Sequence, residues 1–250
     1  MASKLEEATM ALLGSGVLAI WNGVEEGADQ DFIEWHVLEH IPERVGIPGF
    51  LRGRRYIAVD GYPRYFNFYE TENPDVLTSS PYRDRLNAPT DWTRQNIARF
   101  RDTCRTICSV AATQGRGEGA WIETLRFTNV REPEAFRSSV VSSVVPSILV
   151  QPGIVGVHLL EGEAAASQGA STEKTLRGQP DEIADWVLLI EAVEEASLRR
   201  VREGTASDRL FREAASTADI VRGFYRLQFA LTKSELDRGS VAPKRWVQTG

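Results

Sequence analysis

The feature that most limits how this 250-residue chain can fold is that one order of elements occurs twice. A Pro-Gly-apolar tripeptide follows a helical segment and begins a strand at Pro48-Gly49-Phe50, and again 104 residues later at Pro152-Gly153-Ile154. The third strand of each half then begins at Tyr65–Glu70 and at Trp186–Glu191. Each half therefore predicts the order β-α-β-β-α-β.

The first half carries the local signals for these six elements. Val17–Asn22 is a short apolar run that ends in an Asn-Gly turn signal, and it predicts a strand. Asp29–Val45 has large apolar side chains at helical spacing and predicts a helix, with Pro42 and Pro48-Gly49 marking its end. The remaining elements are predicted at Phe50–Val59 (strand), Arg64–Thr71 (strand), Asn73–Phe100 (helical region) and Thr103–Thr113 (strand).

The second half repeats the order with a longer connector. The predicted elements are the strand Ala120–Thr128, the helix Arg131–Val145, the strands Ile154–Gly162 and Asp185–Ala192, the helix Glu194–Ala215 and the strand Gly223–Thr232. The connector Glu163–Asp181 is rich in Ala, Ser and Gly, and we expect a mobile insertion that acts as a lid. The predicted domain bounds are 1–113 for the first unit, 114–119 for a linker, 120–235 for the second unit and 236–250 for a C-terminal tail.

A single β-α-β-β-α-β unit covers only one face of its sheet with helices, so the other apolar face must be buried elsewhere. Two units that turn these bare faces toward each other close a barrel, and fusing them in one chain makes the pairing intramolecular. The predicted fold class is α+β, with two fused ferredoxin-like units forming a barrel-shaped pseudo-dimer with antiparallel sheets. A monomer and a homodimer both remain open.

Composition limits the partners. The chain is 42% hydrophobic and 26% charged, which is typical of globular proteins, and its net charge is −6. Without a basic stripe, neither nucleic acid nor an anionic membrane is an expected partner. The apolar stretch Met10–Trp21, interrupted around Gly14, is too short to span a membrane. Cys104 and Cys108 are expected to be buried free thiols, which suits a cytoplasmic location.

The segment from Trp35 to Arg44 holds two of the three histidines of the chain. His36 and His40 are four residues apart and share a helix face, while Glu39 points about 100° away from His40. An imidazole changes charge near neutral pH, so His40 is the candidate catalytic acid or base. The structural alternatives are a helix-end bond from His40 to a carbonyl and a core position for His36.

This segment, followed by Pro48-Gly49-Phe50 and by Arg54-Arg55-Tyr56, resembles the EthD-like branch of the dimeric α/β-barrel superfamily. The resemblance implies ferredoxin-like units in a barrel and small-molecule chemistry, since the superfamily includes isomerases, lyases, cyclases, monooxygenases and haem enzymes. It also implies that His40 is a pocket histidine. The second half has Ser138–Pro146 in place of the histidines, which indicates a structural partner or one that lends only a wall.

The strand Arg64–Thr71 places Tyr65, Asn67 and Tyr69 on one face. Tyr65 and Tyr69 are the predicted catalytic partners of His40, polarising a carbonyl or a phenol. The predicted substrate-binding residues are His36, Trp21, Asn22, Asn67, Arg54 and Tyr56.

We therefore predict a cofactor-independent lyase, isomerase or cyclase that acts on a compact cyclic or aromatic metabolite, with no metal and no cofactor. His36-x-x-Glu39-His40 also matches a zinc-binding pattern, but no third ligand stands out and Pro42 would cut the helix. Phosphate-binding loops, dinucleotide fingerprints, Cys-x-x-Cys and G-x-S-x-G are absent from the sequence. A non-catalytic binding protein for a small hydrophobic metabolite and a haem- or metal-dependent enzyme remain as alternatives.

Overall fold

The computed structural model describes residues 11–215 and 219–239. The strands of this part of the chain are β1 (Gly16–Val24), β2 (Phe50–Asp60), β3 (Tyr65–Thr71), β4 (Phe100–Gly115), β5 (Trp121–Thr128), β6 (Ile154–Gly162), β7 (Trp186–Ala192) and β8 (Asp219–Thr232). They form one closed antiparallel barrel in the order β1-β3-β2-β8-β5-β7-β6-β4. Residues 1–10 and 216–218, and the part of the predicted C-terminal tail (236–250) from 240 onward, lie outside the described residues.

The barrel consists of two four-stranded halves with the same strand arrangement. The first half has the order β4-β1-β3-β2, and the second has β8-β5-β7-β6. The edge strands pair across the halves, β2 with β8 and β4 with β6. The predicted fold class, two ferredoxin-like α+β units closing one barrel, is therefore confirmed. Every edge strand finds its partner within the chain, so barrel closure requires no second copy.

Helices cover the outer faces of both halves. In the first half they are α1 (Asp29–Trp35), α2 (Ile41–Gly46), a 3-10 helix (Pro74–Thr78), α3 (Ser80–Asn87) and α4 (Asp91–Ala98). In the second half they are α5 (Pro133–Ser139), α6 (Val145–Leu149), α7 (Ala164–Ser167), α8 (Thr172–Leu176), α9 (Glu195–Glu203), α10 (Asp208–Ala215) and α11 (Lys233–Asp237). None of the helices in the ranges 11–215 and 219–239 is long and apolar enough to cross a membrane.

The predicted helix Asp29–Val45 is present, but Pro42 does not mark its end, because a π-helical turn carries the helix past the proline. The segment His36–His40 joins α1 to α2, and the Ile41 N–H donates to the His36 carbonyl five residues back. A proline ring clashes with the carbonyl of the residue four positions earlier, and the wider π turn gives it room. The second half repeats this arrangement 104 residues later, with Val140–Val144 ahead of Pro146.

The barrel interior is filled with side chains, mostly aromatic and aliphatic. Trp21 stacks on Phe66 with ring centroids 4.7 Å apart, and Tyr56, Phe68 and Tyr225 complete the aromatic part. This packing leaves the outer sheet faces, beneath the helices, as the remaining space for a site within each half.

A buried charged network crosses the interior between the halves. Arg54 of β2 donates to Glu191 of β7 at 2.9 Å and to Glu70 of β3 at 3.1 Å. His158 Nε2 lies 3.4 Å from the same Glu191 carboxylate. Burial alone would raise the pKa of Glu191, but Arg54 and His158 hold it below the ordinary value. Arg54 therefore pairs with one carboxylate from each half, and Arg52 binds the first-half carboxylate, Glu70, as well, at 2.7 and 2.9 Å.

Replacing Arg54 with Ala should lower the free energy of unfolding at pH 7 by about 3–5 kcal/mol, because the buried Glu191 carboxylate loses its arginine partner, whereas Glu70 keeps Arg52. Urea denaturation measures this change. Arg64→Ala is the matched control, since the Arg64–Asp29 pair is half-exposed, and it should cost no more than about 1 kcal/mol. Equal effects of the two substitutions would contradict the proposed stabilising role of Arg54.

Candidate active site

The inward face of the first helix carries three buried polar side chains. His36, His40 and Arg44 follow one another at four-residue spacing and are 2%, 6% and 2% exposed. They pack against the outer face of the first-half sheet, where the Tyr69 Oη of β3 lies 3.4 Å from His36 Nε2. The site therefore lies between the helix layer and the sheet, outside the barrel interior.

The two imidazoles are held by aromatic contacts. Their ring centroids are 5.2 Å apart with an interplanar angle of 28°, and the Trp35 ring lies 4.3 Å from that of His40. Both Nδ1 atoms are buried, and neither has a hydrogen-bond partner among the described residues. A buried nitrogen without a partner is costly in a purely structural residue.

Burial, reinforced by the charges of Arg55 and Arg44, lowers the pKa of His36 well below its ordinary value. Burial, reinforced by Arg44 and by His36 itself, does the same to the pKa of His40. Both rings are consequently neutral at physiological pH, and each has a lone pair able to accept a proton. Burial also raises the pKa of Tyr69, so this phenol stays protonated and can donate to His36.

Arg44 brings a fixed positive charge beside the histidines. Its guanidinium forms a buried ion pair with Glu173 and a second one with Glu43 at 3.0 Å. Burial alone would lower the pKa of Arg44, but Glu173, together with Tyr82 and Glu43, raises it. Glu173 lies on α8, in the connector of the second half. The second half thus contributes a charged residue to a site built on the first.

A cavity of about 30 Å³ lies beside His40, lined by Arg44, Tyr69, Tyr82 and Glu173 among others. A space of this size holds about one water molecule. A haem macrocycle does not fit against His40 in this arrangement, because Trp35 covers the imidazole ring and the cavity is far too small. A substrate likewise needs the surrounding wall to open.

That wall is the connector predicted as an insertion. It folds into α7 and α8, and α8 contacts both α3 and α4 of the first half. The Ser167 Oγ accepts a hydrogen bond of 2.9 Å from the Ile107 N–H of β4, which fixes α7 to the sheet edge. The connector of the second half therefore covers the cavity of the first.

The structure brings only some of the predicted site residues together. His36, His40 and Tyr69 meet as described, and Tyr65 shares their sheet face but donates to Asp29 at 2.6 Å. Asn67 donates to Asn22 at 2.7 Å on that same face. Trp21, Arg54 and Tyr56 point instead into the barrel interior, because neighbouring strand residues alternate between faces. They do not approach His40.

Glu39 is engaged elsewhere, as its helical position indicated. Its Oε1 accepts hydrogen bonds from Trp35 Nε1, Thr90 and Thr93, at 3.3, 2.6 and 2.9 Å. These bonds join α1 to α4. No group of three or more His, Cys, Asp or Glu side chains positioned to hold a metal occurs within the described ranges.

Sequence reasoning did not assign a role to Arg44, Tyr82 or Glu173. Arg44 continues the four-residue spacing of the histidines, and this spacing was a usable signal. Glu173 has no comparable signal, because it is 129 residues from Arg44 in the chain and reaches the site through a connector of irregular sequence.

The matching positions of the second half are apolar. Val140, Val144 and Ile148 stand where the first helix has His36, His40 and Arg44, and Ile190 of β7 matches Tyr69. These four residues pack into a continuous hydrophobic core with Phe136 and Leu159. The same backbone thus encloses a polar site in one half and an apolar core in the other.

No protein-family model matches the sequence, and no curated protein matches it. Solved structures match the fold. A presumed monooxygenase of Fusobacterium nucleatum matches with a TM-score of 0.56 at 9% identity, over 89% of this chain and 96% of that one. An anthrone oxidase-like protein matches with a TM-score of 0.58 at 12% identity, over 88% and 94%. A presumed monooxygenase of Lactobacillus acidophilus matches with a TM-score of 0.51 at 10% identity, over 87% and 99%. At these identities the likeness is one of fold.

Exchanging both site histidines for valine, as in the second half, should make stability less dependent on pH. Below pH 6.5 the unfolded chain binds protons that His36 and His40 cannot accept in the native state, so the free energy of unfolding of the wild type falls as the pH falls. In His36→Val/His40→Val this fall should be smaller. Urea unfolding at pH 5.5 and 7.5 measures it.

The reverse exchange in the second half, Val144→His, provides the control for the effect of a buried imidazole at this helix position. It places an imidazole in an apolar core and should lower the free energy of unfolding by about 1–3 kcal/mol. An unchanged pH dependence in the double valine variant would contradict the neutral state assigned to the two histidines.

Proposed function

We propose that the chain is a small-molecule enzyme in which neutral His40 acts as a general base on a compact cyclic substrate. The observation that carries the proposal is the difference between the halves: apolar residues fill this space in the second half, whereas His36, His40, Arg44 and Tyr69 occupy it in the first. Buried polar groups are costly to retain, and perturbed pKa values beside a cavity are typical of catalytic sites.

The proposed step is removal of a proton from a carbon next to a carbonyl, or from a phenol. From the carbon acid, the C–H electron pair moves into the carbonyl system to give an enolate; from the phenol, the O–H pair stays on oxygen to give a phenolate. In both cases the proton passes to the free nitrogen of His40. Arg44 lies in the same cavity and stabilises the negative charge on the substrate oxygen. Return of the proton to another carbon gives an isomer, loss of a leaving group gives elimination, and attack on an internal electrophile gives a ring.

His36 and Tyr69 are proposed to act through His40 and the substrate oxygen. The 3.4 Å contact between Tyr69 Oη and His36 Nε2 holds His36 in place, and His36 stacks beside His40. Tyr69 also lines the cavity and stays protonated, so its hydroxyl can donate to a developing oxyanion.

A second candidate reaction uses molecular oxygen as the co-reactant. The enolate carbanion would add to O₂ to form a peroxide anion, which takes the proton back from His40 to give a hydroperoxide. Loss of water from the hydroperoxide leaves a carbonyl where a CH₂ group stood. The names of the fold relatives, an anthrone oxidase-like protein and two presumed monooxygenases, favour this continuation. Both reactions begin with the same proton transfer to His40.

We further propose that the chain belongs to the EthD-like branch, that its halves arose by duplication, and that it is cytoplasmic. The 104-residue offset, which holds from α1 through the start of β6, supports duplication. The free, buried thiols of Cys104 and Cys108 suit a reducing compartment. A search for close homologues that carry only one such unit per chain would test whether the halves arose by duplication.

Replacing His40 with Gln should slow deuterium uptake from D₂O into the substrate by about 10²–10⁴-fold, because general base catalysis is lost. We propose to measure uptake by mass spectrometry, under nitrogen, on cyclic ketones and phenols that include anthrone. Since His40 has a lowered pKa, the uptake rate should stay level down to pH 6.5 and fall only below it.

His158→Gln is the control, because His158 lies in the barrel interior and contacts Thr113 and Glu191. It should leave uptake within a few-fold of the wild-type rate. If compounds bind to the wild type but none exchanges faster than with His40→Gln, the protein is a binding protein and the catalytic proposal fails.

Substrate access is proposed to require movement of the connector that carries α7 and α8. The Arg44–Glu173 ion pair is its charged contact with the site. Glu173→Gln removes that charge, so amide hydrogen exchange across residues 164–176 should become faster. Glu203→Gln, an exposed substitution at the end of α9, should leave the exchange unchanged. Equal protection in wild type and Glu173→Gln would show that the pair does not hold the connector closed.

A further inference from the structure

A second, larger cavity opens at the end of the barrel near the loop between β2 and β3. Its volume is about 320 Å³, within the range of small-ligand sites. Residues of both halves line it, among them Tyr62, Asp102, Arg126 and Glu182. It shares Phe100, Thr103 and Arg177 with the cavity beside His40, so one set of side chains separates the two spaces.

Arg126 is the distinctive group in this cavity. It projects from β5, its residue is 7% exposed, and its guanidinium lies 5.0 Å from the Trp21 ring centroid. Its Nη2 donates to the Tyr62 carbonyl at 3.1 Å. The nearest carboxylate is that of Glu182, at 3.9 Å, and Glu182 is 81% exposed.

Most other arginines with buried side chains have a carboxylate much closer to the guanidinium than Arg126 has. A carboxylate oxygen lies within 3.1 Å of the guanidinium in each of Arg44, Arg52, Arg54 and Arg222. Arg55 also lacks a carboxylate, but it lines neither cavity and donates to Gln228 and the Ile33 carbonyl. A buried cation is normally paired, so Arg126 has donor capacity left for an anion.

We propose that the cavity binds the carboxylate of a small ring compound, with Arg126 as its cationic partner. Asp102 and Glu182 stand in the same wall, and their negative charges disfavour a dianion such as a phosphate monoester. Asp102 has a φ of 53°, in the left-handed region. The preferred ligand is therefore a monoanion with an aromatic body to lie against Tyr62 and Phe100.

The shared wall gives this site a place in the proposed reaction. A carboxylate held at Arg126 directs the remainder of the molecule toward Phe100 and Thr103, which also border the His40 cavity. The substrate class that follows is a ring compound carrying one carboxylate remote from its reactive carbon. The assignment of this substrate class rests on the proposed function, whereas anion binding at Arg126 does not.

Isothermal titration with 2-naphthoate tests the binding site directly, because this probe has no exchangeable carbon-bound proton and reports binding alone. The wild type should bind it, and Arg126→Gln should bind it at least tenfold more weakly. Arg126→Met keeps the packing on Trp21 without the charge and should show the same loss. Arg199→Gln is the matched control: Arg199 also lies 5.0 Å over an aromatic ring, that of Phe224, but outside the cavity.

Two analogues test the charge preference. Neutral 2-naphthamide and dianionic 2-naphthyl phosphate should each bind the wild type at least tenfold more weakly than 2-naphthoate. Equal affinity for the amide, unchanged naphthoate affinity in both folded Arg126 variants, or no naphthoate binding at millimolar concentration overturns the proposal. His40→Gln should bind 2-naphthoate as the wild type does, so failure of the catalytic proposal and failure of the anion site remain distinguishable.

Discussion

Closure of the barrel by two pairs of edge strands, β2 with β8 and β4 with β6, decides where a site can form. Closure turns the inner faces of both sheets toward each other, and those faces are filled by aromatic rings and by the Arg54 network. The space left for a ligand is the layer between helices and sheet and the open end of the barrel. Both cavities of interest lie there, the smaller beside His40 and the larger beside Arg126.

The repeated order of elements and the Pro-Gly tripeptides were enough to predict the fold. Alternation along strands could not tell which face is the inner one, so Trp21, Arg54 and Tyr56 were grouped with residues that lie on the other side of the sheet. The π turn was not predictable from the spacing rules, because Pro42 alone reads as a helix end. Its repetition before Pro146 ties it to the shared backbone and not to the histidines.

The two halves show what the polar residues of the site cost and what they provide. With Val140, Val144 and Ile148 the helix packs into an apolar core, which is the arrangement that stability alone favours. With His36, His40 and Arg44 the same helix keeps unpartnered ring nitrogens and a buried cation. Such residues destabilise a fold and are typical of functional sites.

A single chain allows this division of roles, whereas a symmetric dimer of identical units does not. In a homodimer each substitution appears in both units, so an apolar core in one unit would remove the site from the other. Here the second half keeps its apolar core, sends Glu173 over the first-half site through its connector, and places Arg126 at the barrel end. Both residues come from the second half of the chain, so each depends on the closed barrel for its position beside the first half. The chemistry that we propose for the first half therefore relies on residues that only the assembled pair of halves brings into reach.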